Sequence, residues 1–246
     1  MTRLLYNLTN WLIKTLRTSA KSGKASAKGS REPERTRSAI LRAAIQEFAD
    51  EGVAGARTDA IARAAGVNKA LLYYYFKDKE ALHGAVLDQV FSGLAARVDE
   101  VLKQPLPPRE KILAYAKAHF DYIAGSPIYP KLVQREMMRA GRGGSPHIRR
   151  LVDRYLRPVE EKLVAAIREG IERGEFRKVD PLHFILSMVA MNVFYFGSAP
   201  VIAMITGMDP LSPPLIAARR AAVIDLISAA LFVKPQAAPN QGRRSK

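Results

Sequence analysis

The sequence predicts an all-α chain, and three observations carry that expectation. Apolar residues recur at intervals of three and four through most of the 246 residues, which is the spacing of one face of a helix. Alternation of apolar and polar residues with the period of a strand is absent. Clusters of proline and glycine at 125–127, 141–146, 174–181 and 207–214 interrupt the pattern at distances suited to helices.

The elements follow in order. A first helix is expected at about 35–51, with Ile40, Leu41, Ala44, Ile45, Phe48 and Ala49 on its buried face and Gly52 as its stop. In the stretch "TDAIARAAG", Thr58 reads as an N-cap, Asp59 complements the helix dipole, Ile61 and Ala62 face inward, and Gly66 ends a helix of two turns. A third helix starts at once, capped by Asn68 and ending near Tyr75. Two short helices joined through Ala65-Gly66-Val67-Asn68 form a helix-turn-helix. Longer helices are expected at about 79–103, 109–124, 128–140, 146–173, 181–206 and 213–233.

Composition narrows the function. With 48% hydrophobic and 25% charged residues the chain is globular, and with no cysteine it has neither disulfides nor thiolate metal sites. The net charge is +16, but residues 1–31 carry seven Lys or Arg and residues 234–246 carry four, with no acid in either tail, so the body holds only +5. Total charge is therefore a weak sign of a nucleic-acid partner. Leu4, Leu8, Trp11, Leu12 and Leu16 give the first segment an amphipathic stripe. It reads as a basic, disordered extension without an assigned role, and 234–246 as a basic disordered tail.

The third helix has a distinct outer face. On a helical wheel Leu72 and Phe76 fall together, where they join Ile61 and Val67 in a small core. The opposite side shows Lys69, Ala70, Tyr73 and Tyr74, with Tyr75 and Leu71 at the edge and Lys77 and Lys79 following. Lysine donates to guanine O6 or N7, a small apolar side chain meets a thymine methyl, and hydroxyls and ammonium groups hold phosphates.

The run "TDAIARAAGVNKALLYYYFKDKEAL" resembles the helix-turn-helix of the TetR (TetR/AcrR) family of bacterial one-component regulators. Thr58, Ile61, Ala62, Ala65, Gly66, Val67, Tyr73, Phe76, Lys79 and Leu82 stand at the family's signature positions, with Asn68 in place of the usual Ser. The resemblance implies that Thr58, Asn68, Lys69, Ala70, Tyr73, Tyr74 and Lys79 contact DNA. It also implies a three-helix DNA-binding domain at 32–80 and a larger helical domain for ligand binding and dimerisation at 81–233. Leu71 departs from the small residue usual there and leaves the operator sequence open.

The larger domain carries two further signals. From Pro181 to Met208 there is no charged residue, a membrane-span candidate by length, yet Ser187, Asn192, Gly197, Ser198 and Pro200 lie within it. A buried bundle helix is expected instead, with no membrane span. The last helix has a stripe of Ala218, Ala222, Leu226, Ala229 and Val233, which suits a homodimer interface and two recognition helices on a near-palindromic double-stranded operator. Tyr115, His119, Tyr122, Met138, Tyr155, Met188, Asn192 and Tyr195 are candidates for lining a small-molecule cavity, and Met137 beside them.

An enzyme is the first rival reading. His83, His119, His147 and His183 are scattered, and no H-E-x-x-H, G-x-S-x-G or phosphate-binding glycine loop is present. No catalytic residue, metal site or cofactor is expected. The second rival is a nonspecific nucleic-acid or membrane-surface binder driven by the basic tails. The expectation is a cytoplasmic, sequence-specific DNA-binding regulator, a homodimeric repressor released by a small, largely apolar effector.

Overall fold

The computed structural model describes residues 31–233 apart from 127 and 142. The tails expected at 1–31 and 234–246 lie outside the described residues, except for Arg31, where the first helix begins.

Among the described residues every regular element is helical. Helix α1 (Arg31–Gly55) buries Ile40, Leu41, Ala44, Phe48 and Ala49 as their spacing requires. Gly52 has φ of 68° and ψ of 178°, so the helix breaks there and resumes for one turn. Only glycine adopts that backbone without strain. Helix α2 (Thr58–Ala64) packs against α1, and helix α3 (Lys69–Tyr75) packs against α2. The N-cap of α2 is Arg57, not Thr58, which is the first helical residue and has its hydroxyl turned elsewhere. Asn68 caps α3 as expected, accepting from the Leu71 N–H at 2.7 Å.

A seven-residue helix is marginal alone. Burial of Leu72 and Phe76 against Ile61 holds α3 in place, each large apolar side chain contributing roughly 1.5–3 kcal/mol. Asp78 then caps helix α4 (Lys79–Leu102), its side chain accepting from the Ala81 N–H at 2.7 Å.

Helix α4 runs out of the small domain and packs along helix α5 (Pro108–Ala124). Helix α6 (Ile128–Gly141) leans on α1, and helix α7 (Ile148–Leu151) passes through a π-helical segment, Val152–Leu156, into helix α8 (Arg157–Glu172). The single helix expected at 146–173 is thus interrupted. Pro158, which has no N–H to donate, stands in the first turn after the π segment.

The charge-free stretch is also not one helix. Helix α9 (Pro181–Gly197) ends at Ser198, and helix α10 (Ala199–Thr206) departs at 67° to it. Pro200, in the first turn of α10, cannot continue the hydrogen bonding of α9 and forces the break. No single described helix is long and apolar enough to cross a membrane. Helix α11 (Pro213–Leu231) closes the fold by burying Val223, Ile227 and Leu231 against the bundle. The backbone at its C-terminal end pairs with the segment that follows α8, Arg177 N donating to Leu231 O at 2.8 Å and Val233 N to Glu175 O at 2.9 Å.

Candidate nucleic-acid interface and ligand cavity

The outer face of α3 is as its sequence indicates. Lys69, Ala70, Leu71, Tyr73 and Tyr74 are exposed, Tyr74 to 79%, while Leu72 and Phe76 are buried. A tyrosine that exposed has no part in its own core. Tyr74 meets Tyr75 edge-on at 5.3 Å. Lys69 pairs with Asp59 at 3.1 Å, with both side chains about half exposed. Such a surface pair is worth little, roughly 0–1 kcal/mol, and yields readily to a phosphate or a base.

Two of the residues expected at DNA are engaged behind this face. Thr58 is buried, with its hydroxyl 3.3 Å from that of Tyr73, so it steadies the Tyr73 ring and does not stand on the surface. The Lys79 ammonium donates to the carbonyls of Ala54 and Ala56, each at 3.2 Å, and so closes the C-terminal end of α1. Cations satisfy the orphan carbonyls at a helix end in this way.

A cavity of about 310 Å³ opens among α4, α5, α8 and α9. Its walls are mostly aliphatic, with Phe91, Val98, Leu163 and Ile185 among them, and polar groups come from Tyr115, His119, Tyr129 and Tyr155. Arg157 and Glu160 stand beside it. The π segment matters here, because Val152, Tyr155 and Leu156 all reach the cavity from it. Burial raises the Tyr115 and Tyr129 phenols well above their ordinary range, which leaves both as neutral donors. Burial pushes the His119 imidazole down to about 4, so it is neutral as well. Its Nδ1 lies 2.9 Å from Asn192 Nδ2.

Of the eight residues expected at a ligand site, Tyr115, His119 and Tyr155 line the cavity, and Asn192 touches it only through His119. The others do not line it. Met188 is buried in the core; Tyr122 donates to the Val90 carbonyl at 2.9 Å; Tyr195 donates to that of Pro210 at 2.8 Å under the Arg219 guanidinium. Met137 and Met138 are each 62% exposed on the outer side of α6. Tyr129 was missed because, as the second residue of α6, it gave no periodic signal of an inward side chain.

Helix α6 joins the cavity to the small domain. Tyr129 is at its first turn, in the cavity wall. Farther along, Lys131 reaches Asp50 at 3.3 Å, Arg135 donates to the Asp50 carbonyl at 2.6 Å, and Arg139 grips both oxygens of Glu80 at 2.7 and 2.8 Å. Burial alone would raise the Glu80 carboxyl, but Arg139 and His147 hold it below its ordinary value. Glu80 and His83, neighbours on α4, and His147, distant from both in sequence, converge at this junction. The Glu80-x-x-His83 spacing on one helix was the signal available for them.

Residues 40–86 match the family model for bacterial regulatory proteins of the tetR family, and residues 108–227 match that for the tetracyclin repressor-like C-terminal domain. The HTH-type transcriptional repressor SCO4008 of Streptomyces coelicolor is 35% identical over 159 residues, 65% of this chain and 77% of that protein. The chain belongs to the TetR family of bacterial transcriptional regulators. This TetR-family protein is also 30% identical to the HTH-type transcriptional regulator RutR of Escherichia coli over 184 residues, 75% of this chain and 84% of that one. The crystal structure of SCO4942 from Streptomyces coelicolor superposes with a TM-score of 0.62 at 28% identity, covering 79% of this chain and 97% of that one. The TetR-family chain is a DNA-binding transcriptional regulator, and its relatives are regulators rather than enzymes. Proteins of this family act as dimers on DNA operators and respond to small molecules.

Proposed function

We propose that the protein is a homodimeric repressor whose α3 helices read a near-palindromic operator, and that a small, largely apolar effector entering the cavity releases it. The observation that carries this reading is α6 itself, which places Tyr129 in the cavity wall and Arg135 and Arg139 on the DNA-reading domain. An effector that binds better when α6 is displaced draws the population toward recognition helices out of register with DNA.

Asn68, Lys69, Ala70, Tyr73 and Tyr74 form the proposed reading face, with Thr58 and Lys79 positioning it from behind. Dimerisation is supported by the expected stripe: Ala218, Ala222, Leu226 and Ala229 on α11 and Val233 just past its end are all exposed, as is Phe194 on α9. Tyr115, His119 and Tyr155 with the aliphatic walls form the proposed effector site. With the Asn192 amide nitrogen facing Nδ1, His119 presents an Nε2–H donor, which suits an effector bearing one oxygen acceptor on an apolar body. Work on genomic DNA places the protein in the cytoplasm.

A reporter gene whose promoter carries the protein's selected binding site tests the direction of control. Transcription should fall when the protein is produced; unchanged or increased transcription contradicts the repressor reading.

A further inference from the structure

Glu80 and His83 lie three residues apart on α4 and so share one face of it. His147, from the turn ahead of α7, lies across them with Nε2 at 2.8 Å from Glu80 Oε1. Its ring occupies the space that a side chain at position 84 would fill: a Cβ on Gly84 would stand 2.6 Å from the His147 Cε1. The three side chains each offer one ligand atom, and these atoms all lie within 4.8 Å of one another.

His83 is oriented by its surroundings. Its Nε2 faces the buried Glu136 carboxylate at 3.9 Å, and Glu136 accepts in turn from the Ser145 hydroxyl. Its Nδ1 faces Arg139 Nη1 at 3.4 Å. A ring whose Nε2–H points at a carboxylate keeps its Nδ1 lone pair for a cation, as in carboxylate–histidine–metal arrangements. The positive group now facing that lone pair is the Arg139 guanidinium, which also bonds Glu80. The Arg139 side chain is 25% exposed and has a path to solvent.

We propose that the Glu80 carboxylate, His83 Nδ1 and His147 Nε2 form a binding site for a divalent cation of the Zn2+ type, whose place Arg139 fills when the metal is absent. Two imidazoles and a carboxylate suit such a cation at about 2.0–2.2 Å and leave a fourth position for water. Ligand atoms around a tetrahedral ion stand about 3.3 Å apart, so the widest pair must close by up to about 1.5 Å while Glu80 and His147 open slightly, changes within reach of rotamer adjustment. Glu136 orients His83 and is not itself a ligand. The ion would tie α4 to the start of α7 at the boundary of the DNA-reading helices. The site stands independently of the cavity and of its effector.

The test uses untagged full-length protein, stripped with EDTA and titrated with Zn2+ in competition with a chromogenic chelator. Saturable binding of one Zn2+ per chain is expected. Binding should weaken at least about tenfold in His147→Ala and in His83→Ala, and tighten several-fold in Arg139→Gln because the competing cation is gone. Circular dichroism checks that each variant is folded, and visible absorption of the Co2+ form reports a nitrogen and oxygen ligand set. Absence of saturable binding, binding that survives His147→Ala, or an unchanged affinity in a folded Arg139→Gln would each overturn the proposal.

Discussion

His119 Nδ1 and Asn192 Nδ2 stand 2.9 Å apart between α5 and α9, both residues sealed from solvent, and the bond decides which nitrogen His119 presents to the cavity. Truncating Asn192 to alanine leaves that imidazole nitrogen without its partner. Urea unfolding should show a loss of about 1–3 kcal/mol. Operator affinity without effector should hold, because the pair is remote from α3.

Stability should depend on pH through the same imidazole. Burial keeps His119 neutral down to about 4, whereas in the unfolded chain it takes up a proton near its ordinary 6.5. The unfolded state then binds more protons between those values, so stability falls as pH drops from about 6.5 toward 4 and is unaffected by this group above 6.5. The loss approaches about 1.4 kcal/mol per pH unit, or about 2 kcal/mol at pH 5. Urea unfolding of wild type and His119→Phe at pH 7 and pH 5 checks this. The variant should lose less stability over the interval.

Two lysines of the helix-turn-helix should behave differently. Lys69 is on the reading face, held only by Asp59, and Lys69→Ala should weaken operator binding and lower the salt slope by about 1 if it meets a phosphate. Lys79 closes the end of α1 through two carbonyls. Lys79→Met should cost about 1–3 kcal/mol of stability while leaving the slope of log affinity against log salt unchanged. Fluorescence anisotropy across a salt series, with thermal unfolding alongside, separates the two.

The dimer should depend on the apolar face of α9 and α11. Phe194 is 69% and Leu226 52% exposed in the single chain, and a buried unpaired charge on such a face costs several kcal/mol. Sedimentation velocity of Leu226→Glu should find monomers where the wild type is dimeric. The monomers should bind a half-site only weakly.

Much of the helix-turn-helix was legible because its signals are local. Asn68 capping, Gly66 in the turn and the buried Leu72 and Phe76 each depend on residues within one or two turns. Thr58 shows the limit: one residue of shift in the cap turned its hydroxyl from the surface to Tyr73. The cavity was less legible. Helical phase tells which residues share a face but not which face meets a void, so Met138 and Tyr195 fell outside it while Tyr129 lined it. The π segment at Val152–Leu156 shifts that phase, and its only advance sign was Pro158. Pro200 likewise announced the break between α9 and α10, though the uniform apolarity around it read as one helix. The junction of Glu80 with His147 joins residues 67 positions apart, beyond any local pattern.

The most direct test of the central claim, that paired α3 helices read a specific DNA sequence, is selection of genomic fragments by the purified full-length protein at moderate salt, followed by sequencing. The account predicts enrichment of one near-palindromic site whose half-sites lie about one helical turn apart, ~34–36 Å. It also predicts that the site is retained after the basic tails are removed. Recovery of unrelated fragments, with retention vanishing as salt rises, would contradict it and assign the binding to the tails.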